Sequence, residues 1–292
     1  MAQPPDLHDA RRLLQTPLGQ AGSARLRYGA AMTLYQAGQM DADVLEVYRC
    51  SASLDTQDPL ALIADSGLPS PFGATAAIAT LVAEIGAYLA RLPGPGIADV
   101  RQRMAAQSTA IAPRPTAPNP ITAQHLDAAL QQAHATEPAL ACAIRQAAAH
   151  LNWVTYDRYD PQDIGADFAQ GHAFTLIFGR EAPIAADGFD LGLFLIAPHV
   201  LYRDHCHAAP ELYAPLTGPH GWRFGPDTPL VIRPAHHPFW NPPFAPHLTK
   251  VGPVPFLCIF AWTADVDAAA RVIPAKDWAA LEALRLQGAD AS

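Results

Sequence analysis

Tyr202-Arg-Asp-His-Cys-His-Ala-Ala-Pro-Glu-Leu-Tyr-Ala-Pro-Leu-Thr-Gly218 is the stretch that decides the fold. Side chains alternate across a β-strand with period two, so His205 and His207 share one face and Cys206 points to the other. The Ala-Ala-Pro step then breaks the strand. On the next one Glu211 and Tyr213 again share a face. Imidazole and carboxylate groups converging from neighbouring strands make a mixed nitrogen and oxygen site, suited to zinc, iron, manganese, cobalt or nickel as a divalent ion. A small β-barrel can carry a catalytic metal in this way.

The spacing His-x-His-x3-Glu, closed by Gly218, resembles the first signature motif of the cupins, which are double-stranded jelly-roll barrels. The competing reading is a His-rich surface turn that binds nothing. A lone His pair is common, whereas a trailing Glu and Gly at this spacing is not. Glu-x-Tyr is frequent in cupins generally, where the Tyr often only fills the barrel.

Composition agrees with a globular chain. Of 292 residues half are apolar and 16% are charged, with a net charge of −8. No long basic run appears, which argues against nucleic acid or an anionic membrane as the main partner. The opening Met1-Ala-Gln-Pro-Pro-Asp-Leu-His-Asp-Ala-Arg-Arg12 lacks an apolar signal core, and no stretch reads as long enough to span a bilayer, so the expected location is the cytoplasm. Cys50, Cys142, Cys206 and Cys258 lie far apart with no Cys-x-x-Cys pair, and read as free thiols.

Two regions of different periodicity follow one another. Residues 1 to about 107 read as helices, with apolar three- and four-residue spacing over Ser23–Met40, Asp41–Leu54 and Gly73–Leu92. Pro93-Gly-Pro-Gly96 ends the third run. Ile111-Ala-Pro-Arg-Pro-Thr-Ala-Pro-Asn-Pro120 is a proline-rich connector. Thr122 reads as the N-cap of a helix to about Ala135, and a second helix runs from Pro138 to about Leu151. After Trp153 short apolar β-type runs take over: Ala173–Phe178, Leu191–Ala197, Glu211–Leu216, Pro229–Ile232 and Phe256–Trp262. Pro274–Leu286 reads as a closing helix. The expected fold is therefore α+β. A helical region over 1–120 precedes a jelly-roll domain over 121–292, which comprises helices within 122–151, a barrel over about 151–265 and a helix over about 274–286. The helical part carries no cluster of catalytic residue types, so support or homodimerisation is its expected role.

A further histidine from a later strand usually completes a cupin metal site. His220, His236, His237 and His247 are the candidates. His247 follows Asn241-Pro-Pro-Phe-Ala-Pro246 directly before the last strand, whereas His236 and His237 sit in a Pro-flanked turn. The second cupin motif, Pro-x-Gly-x-x-His, is absent at Pro234, where Phe239 takes the His position.

Leu191-Gly-Leu-Phe-Leu-Ile-Ala-Pro-His-Val-Leu-Tyr202, running into the His-x-His-x3-Glu-x-Tyr motif, resembles the cupin-type dimethylsulfoniopropionate (DMSP) lyases and their lyase-like relatives. His172-Ala-Phe174, Pro246-His247 and Phe260-Ala-Trp262 continue the similarity over roughly residues 122–265. The resemblance implies one divalent metal ion per chain, held by His207, Glu211, His247 and Tyr213. His205, Tyr202 and Trp262 would line the substrate site, with Tyr213 or Tyr202 as the base. Tyr202 has the wrong strand parity to reach the site unless the strand bulges.

The implied reaction is a carbon–sulfur lyase step on a small carboxylate carrying a sulfonium. Removal of the proton next to the carboxylate expels dimethyl sulfide and leaves acrylate. A sulfonium suits aromatic faces, and Trp262, Tyr202, Trp222, Phe178 and Tyr156 are the supply, with core packing the better reading for Phe178 and Trp222. The alternatives are an iron-dependent cupin dioxygenase or isomerase acting on another small carboxylate, and a non-catalytic metal-binding cupin.

Overall fold

The computed structural model describes residues 7–66, 68 and 71–287; the first six residues, part of the stretch read for a leader, lie outside the described residues. Its contacts divide the chain into two compact units, Met1–Ala76 and Ala77–Ser292.

The first unit contains helices α1 (Leu7–Leu14), α2 (Ser23–Gln36), α3 (Ala42–Ser51) and α4 (Pro59–Asp65). Their inward faces bury Leu14, Ala31, Leu34, Val44, Tyr48 and Ile63. Gly22 precedes α2 in a left-handed conformation and offers no capping side chain. The Asp55 carboxylate fills that role, accepting the N–H groups of Gly22 at 2.9 Å and Ala24 at 2.8 Å. Arg27 is buried, and its guanidinium donates to the carbonyls of Thr16 and Asp55.

Helix α5 (Ala74–Arg91) opens before the boundary, and α6 (Ile97–Ala106), α7 (Pro120–His134) and α8 (Pro138–Ala148) follow within the second unit. By length and composition α5 could cross a bilayer, an exception to the expectation that no stretch could. It buries Ile78, Leu81, Ile85, Tyr88 and Leu89. Gly96 starts α6 with φ of 78°, and a Cβ there would lie 1.9 Å from the Trp240 ring, so only glycine fits. The N-cap of α7 is Asn119 rather than Thr122. The Asn119 side chain accepts from the N–H groups of Ile121 and Thr122, and the Thr122 hydroxyl donates back to the Asn119 carbonyl. The proline-rich connector is irregular and is tied to later segments: Ala112 N–H donates to the Pro183 carbonyl and Arg114 to that of Ala182.

Two short helices, α9 (Pro161–Ile164) and α10 (Ala166–Gln170), lead into the barrel. Its strands are β1 (His172–Gly179), β2 (Ile184–Ala185), β3 (Asp190–Ile196), β4 (Leu201–Cys206), β5 (Glu211–Pro215), β6 (His220–Arg223), β7 (Val231–Arg233), β8 (Phe239–Asn241), β9 (His247–Lys250), β10 (Phe256–Trp262) and β11 (Arg271–Val272). One sheet runs in the order β2-β1-β3-β10-β5-β8 and the other β11-β4-β9-β6-β7. All pairings are antiparallel except β1 with β2. Phe194, Tyr202, Tyr213, Trp222, Phe256 and Phe260 fill the space between the sheets. Helix α7 packs against β3, β10 and β1.

The closing helix α11 (Trp278–Ala283) is shorter than the expected 274–286. Ile273 N–H donates to the Asp204 carbonyl, which keeps the chain extended, and Asp277 is held by Arg223 at 2.5 Å. Arg223 also pairs with the buried Asp204.

Candidate active site

His205 lies near the end of β4, His207 one residue past it, and His247 opens β9. His205 and His247 are register partners and so lie side by side in the five-stranded sheet. Glu211 and Tyr213 stand on β5 in the other sheet. The expectation of neighbouring strands is corrected here: the Ala-Ala-Pro step carries the chain from one sheet to the facing one. The two halves of the motif therefore meet across the barrel interior.

All three imidazoles are oriented by the same device. The Nδ1–H of His205 donates to the Arg203 carbonyl at 2.8 Å, that of His207 to Ala209 at 2.8 Å, and that of His247 to Ala245 at 2.9 Å. A carbonyl can only accept, so each ring carries a proton on Nδ1, and Nε2 is the atom left to face the cluster. Among the described residues these three histidines offer ligand atoms that lie within 4.8 Å of one another. His205 Nε2 and His247 Nε2 are buried without a hydrogen-bond partner. Glu211 Oε2 is 3.2 Å from His207 Nε2 and 3.3 Å from His247 Nε2, the latter outside hydrogen-bonding geometry.

Electron-pair donors facing one another in a buried site repel unless a cation or added protons sit between them. Burial and the two neighbouring imidazoles hold His205 well below the usual histidine range, so a proton there is disfavoured. Burial lowers His207 while the Glu211 carboxylate raises it, and the net direction is up. Burial opposes ionisation of Glu211, yet His207 and His247 leave it well below the usual carboxylate range. Imidazoles pinned through Nδ1 beside a carboxylate held in its ionised form make a donor set that fits a divalent cation.

Glu211 is held by further partners. Trp262 is its register partner on β10, and the indole N–H donates to Oε1 at 2.7 Å. Asn241 is its register partner on β8, and Nδ2 donates to Oε2 at 3.1 Å. Sequence reading did not single out Asn241, because Asn-Pro-Pro reads as a turn; only its pairing with Glu211 reveals its place.

The bulge that Tyr202 required is present: the register of β4 against β9 shifts between Tyr202 and His205. Tyr202 is thereby brought onto His205, and its hydroxyl lies 2.8 Å from that of Tyr159. Tyr213 shares the Glu211 face of β5, with its ring centroid 6.2 Å from that of His247. Burial and the Glu211 charge hold the Tyr213 phenol well above its usual range.

A cavity of about 530 Å³ opens onto these groups and is lined by Tyr202, His207, Glu211, Tyr213 and Trp262 together with a wall of further aromatic rings. Its size is that of a small-molecule site. Trp222 and Phe178 are buried elsewhere in the core. His236 lies away from the cluster, between Tyr88 and Thr136, and His220 is buried against Thr217 and Gly252.

The model of the DMSP lyase family matches residues 97–258, more than half of the chain. The chain belongs to that family. No curated protein matches it. One of the solved DMSP lyases RdDddP and RnDddQII is 20% identical, with a TM-score of 0.56, over 69% of this chain and 100% of its own. The DMSP lyase DddQ from Ruegeria pomeroyi DSS-3 is 24% identical, with a TM-score of 0.49, over 67% of this chain and 95% of its own. At such identities the first likeness shows a shared fold. Helices together with two largely antiparallel sheets make this DMSP lyase family member an α+β protein.

Proposed function

We propose that the chain is a metal-dependent lyase cleaving DMSP to dimethyl sulfide and acrylate. The observation that carries this is the convergence of His207, Glu211 and His247 beneath an aromatic-walled cavity in a DMSP lyase family member. In this reading one divalent ion (zinc, iron, manganese, cobalt or nickel) is held by His207, Glu211 and His247, with Tyr213 at or beside it. His205 is the neighbouring imidazole whose free Nε2 points to the same place. When bound, the ion supplies positive charge that takes the substrate carboxylate and eases proton loss next to it.

The chain's own groups do the rest. Tyr213 or Tyr202 accepts the proton from the carbon beside the carboxylate. The released electron pair forms the carbon–carbon double bond while the carbon–sulfur bond breaks, and dimethyl sulfide departs neutral. Trp262 holds Glu211 and presents indole surface to the cavity, where a sulfonium gains about 0.5 to 2 kcal/mol from a well-placed ring. Residues 1–120 are proposed as a helical region for support or for homodimerisation, and 121–292 as the catalytic part, acting in the cytoplasm.

Zinc-loaded protein mixed with DMSP should release dimethyl sulfide into the headspace with acrylate in equal amount. Oxygen uptake on turnover without dimethyl sulfide would instead favour a dioxygenase.

A further inference from the structure

Four residues stand in one register row across the six-stranded sheet. Asp190 on β3 pairs with Trp262 on β10, Trp262 with Glu211 on β5, and Glu211 with Asn241 on β8. Residues in direct register present side chains to the same face. The indole of Trp262 thus lies between two carboxylates, the inner Glu211 and the outer Asp190, and all three line the cavity. Strand spacing of about 4.8 Å places the backbone of Asp190 roughly 10 Å along the row from that of Glu211, and the Asp190 carboxylate lies over Gly179 at the outer side.

The two carboxylates differ in their partners. Glu211 is engaged by His207, Asn241 and Trp262. The Asp190 carboxylate has no hydrogen bond or ion pair among the described residues, although the residue is partly buried. The nearby Arg180 guanidinium is already joined to Asp267, at 3.0 Å. Burial and the Asp267 charge, partly offset by Arg180, push the Asp190 carboxyl up to about 6. A carboxylate without a partner on a cavity wall costs stability, and a cationic ligand would relieve that cost.

We propose that Asp190 determines substrate specificity, forming with the Trp262 face a subsite for the positively charged end of a substrate whose carboxylate is held at the inner histidine and glutamate cluster. What this adds to the proposed substrate's aromatic contact is a counter-charge, Asp190, at its positively charged end. The indole face attracts the cation through its quadrupole, and Asp190 supplies the counter-charge beside it. A neutral group of equal size gains the apolar contact and neither of the other attractions. This deepens the proposed lyase reading, and rests on it for the placement of the carboxylate end.

The test compares two isosteric ligands on zinc-loaded protein by calorimetry at pH 8. 3-(Trimethylammonio)propanoate carries the charge, and 4,4-dimethylpentanoate replaces nitrogen with carbon. The wild-type protein should bind the cationic ligand more tightly. Asp190→Asn should cut that preference by about tenfold, the scale of one partly screened charge pair, with the neutral ligand held within about twofold. Asp190→Glu should restore most of the preference. Asp190→Ser serves if the Asn variant does not fold. An unchanged ratio in the variants, or equal weakening of both ligands, overturns the proposal. Cation preference that depends on Asp190 in a protein releasing no dimethyl sulfide would sustain this inference and sink the lyase reading. Dimethyl sulfide release without such preference would do the reverse.

Discussion

Tyr202 stacks on His205 with ring centroids 3.8 Å apart and planes 18° from parallel, a contact made possible by the register slip of β4 between them. The stack continues on the far side of Tyr202. Phe168 from α10 lies 3.9 Å from it at 7°, and His172 lies 4.0 Å from Phe168 at 8°. A column of parallel rings thus runs from the start of β1 to the histidine cluster. Its far end is fixed, because His172 Nδ1–H donates to the Phe168 carbonyl and His172 Nε2 accepts Tyr156 N–H.

That column should position the site. Phe168→Leu keeps an apolar side chain but removes the flat face that holds Tyr202 against His205. A displacement near 1 Å can cost about 10²-fold in rate, so kcat should fall by roughly 10- to 100-fold. The visible absorption bands of cobalt-loaded protein should shift with it. A lower melting temperature with unchanged cobalt bands and turnover would mean that the column only packs the core.

Metal retention separates the histidines. His207→Ala and His247→Ala each remove an Nε2 lone pair from the buried cluster, and metal analysis after dialysis should show marked loss of bound ion. His236→Ala should retain it, because that ring bridges Tyr88 at 2.9 Å and Thr136 at 2.8 Å, away from the cluster. Its cost should appear as about 1 kcal/mol of stability, since each hydroxyl loses one hydrogen bond and keeps another, Tyr88 to the Pro215 carbonyl and Thr136 to that of Ala133. An essential His236 with a dispensable His247 would overturn the assignment of the last ligand.

The barrel was legible in its long apolar runs: β10 matches Phe256–Trp262, and β3 and β5 lie within a residue or so of their expected bounds. Of the short strands, β7 (Val231–Arg233) overlaps the expected Pro229–Ile232, but others were not legible. β6, β8 and β9 span three or four residues each and contain His220, Asn241 and His247, which read as turn or ligand residues because so few positions show no periodicity. The ligand motif could be read because alternation puts His205 and His207 on one face. That its halves lie in facing sheets could not, since a local break does not reveal which sheet the next strand joins. Tyr202 shows the same limit: parity excluded it on a regular strand, and only the observed bulge admits it.

Stability should fall as the medium is acidified, through two histidines outside the metal cluster. Burial lowers His172 to about 4 and His220 to about 3. Each uses a bare ring nitrogen to accept a backbone N–H: His172 Nε2 from Tyr156 at 3.0 Å, and His220 Nδ1 from Gly252 at 3.1 Å. A proton on that nitrogen would oppose one donor to another. The unfolded chain takes up its protons near pH 6.5, before the folded one does. Their contribution is therefore whole above about 6.5 and is lost progressively as pH falls towards about 4 and about 3, at up to about 1.4 kcal/mol per pH unit for each ring. Urea unfolding at pH 7.5 and pH 5 should show the drop. In His220→Gln the overall stability should be lower, but the difference between the two pH values should shrink. An undiminished difference in both His172→Gln and His220→Gln would exclude these rings as its source.

The last prediction concerns the base. Tyr213 stands two residues beyond Glu211 on the same face of β5, and its phenol is held well above the usual range by burial and the Glu211 charge. Without a cation nearby it is a poor base, and it becomes a good one only when positive charge offsets that carboxylate. Tyr202 is more enclosed: its hydroxyl lies 2.8 Å from Tyr159, and burial with the neighbouring tyrosines raises it as well. Removing the Tyr213 hydroxyl while keeping its ring should therefore do more harm. Tyr213→Phe should lower kcat by roughly 10² to 10⁴-fold, the usual worth of a general base, with the melting temperature little changed. Tyr202→Phe should cost less, because the stack on His205 survives and only the Tyr159 contact is lost. Comparison of dimethyl sulfide release by the two metal-loaded variants decides the matter. If Tyr213→Phe turns over normally and Tyr202→Phe is dead, the roles are exchanged, and Tyr213 is a barrel-filling ring beside the ligands.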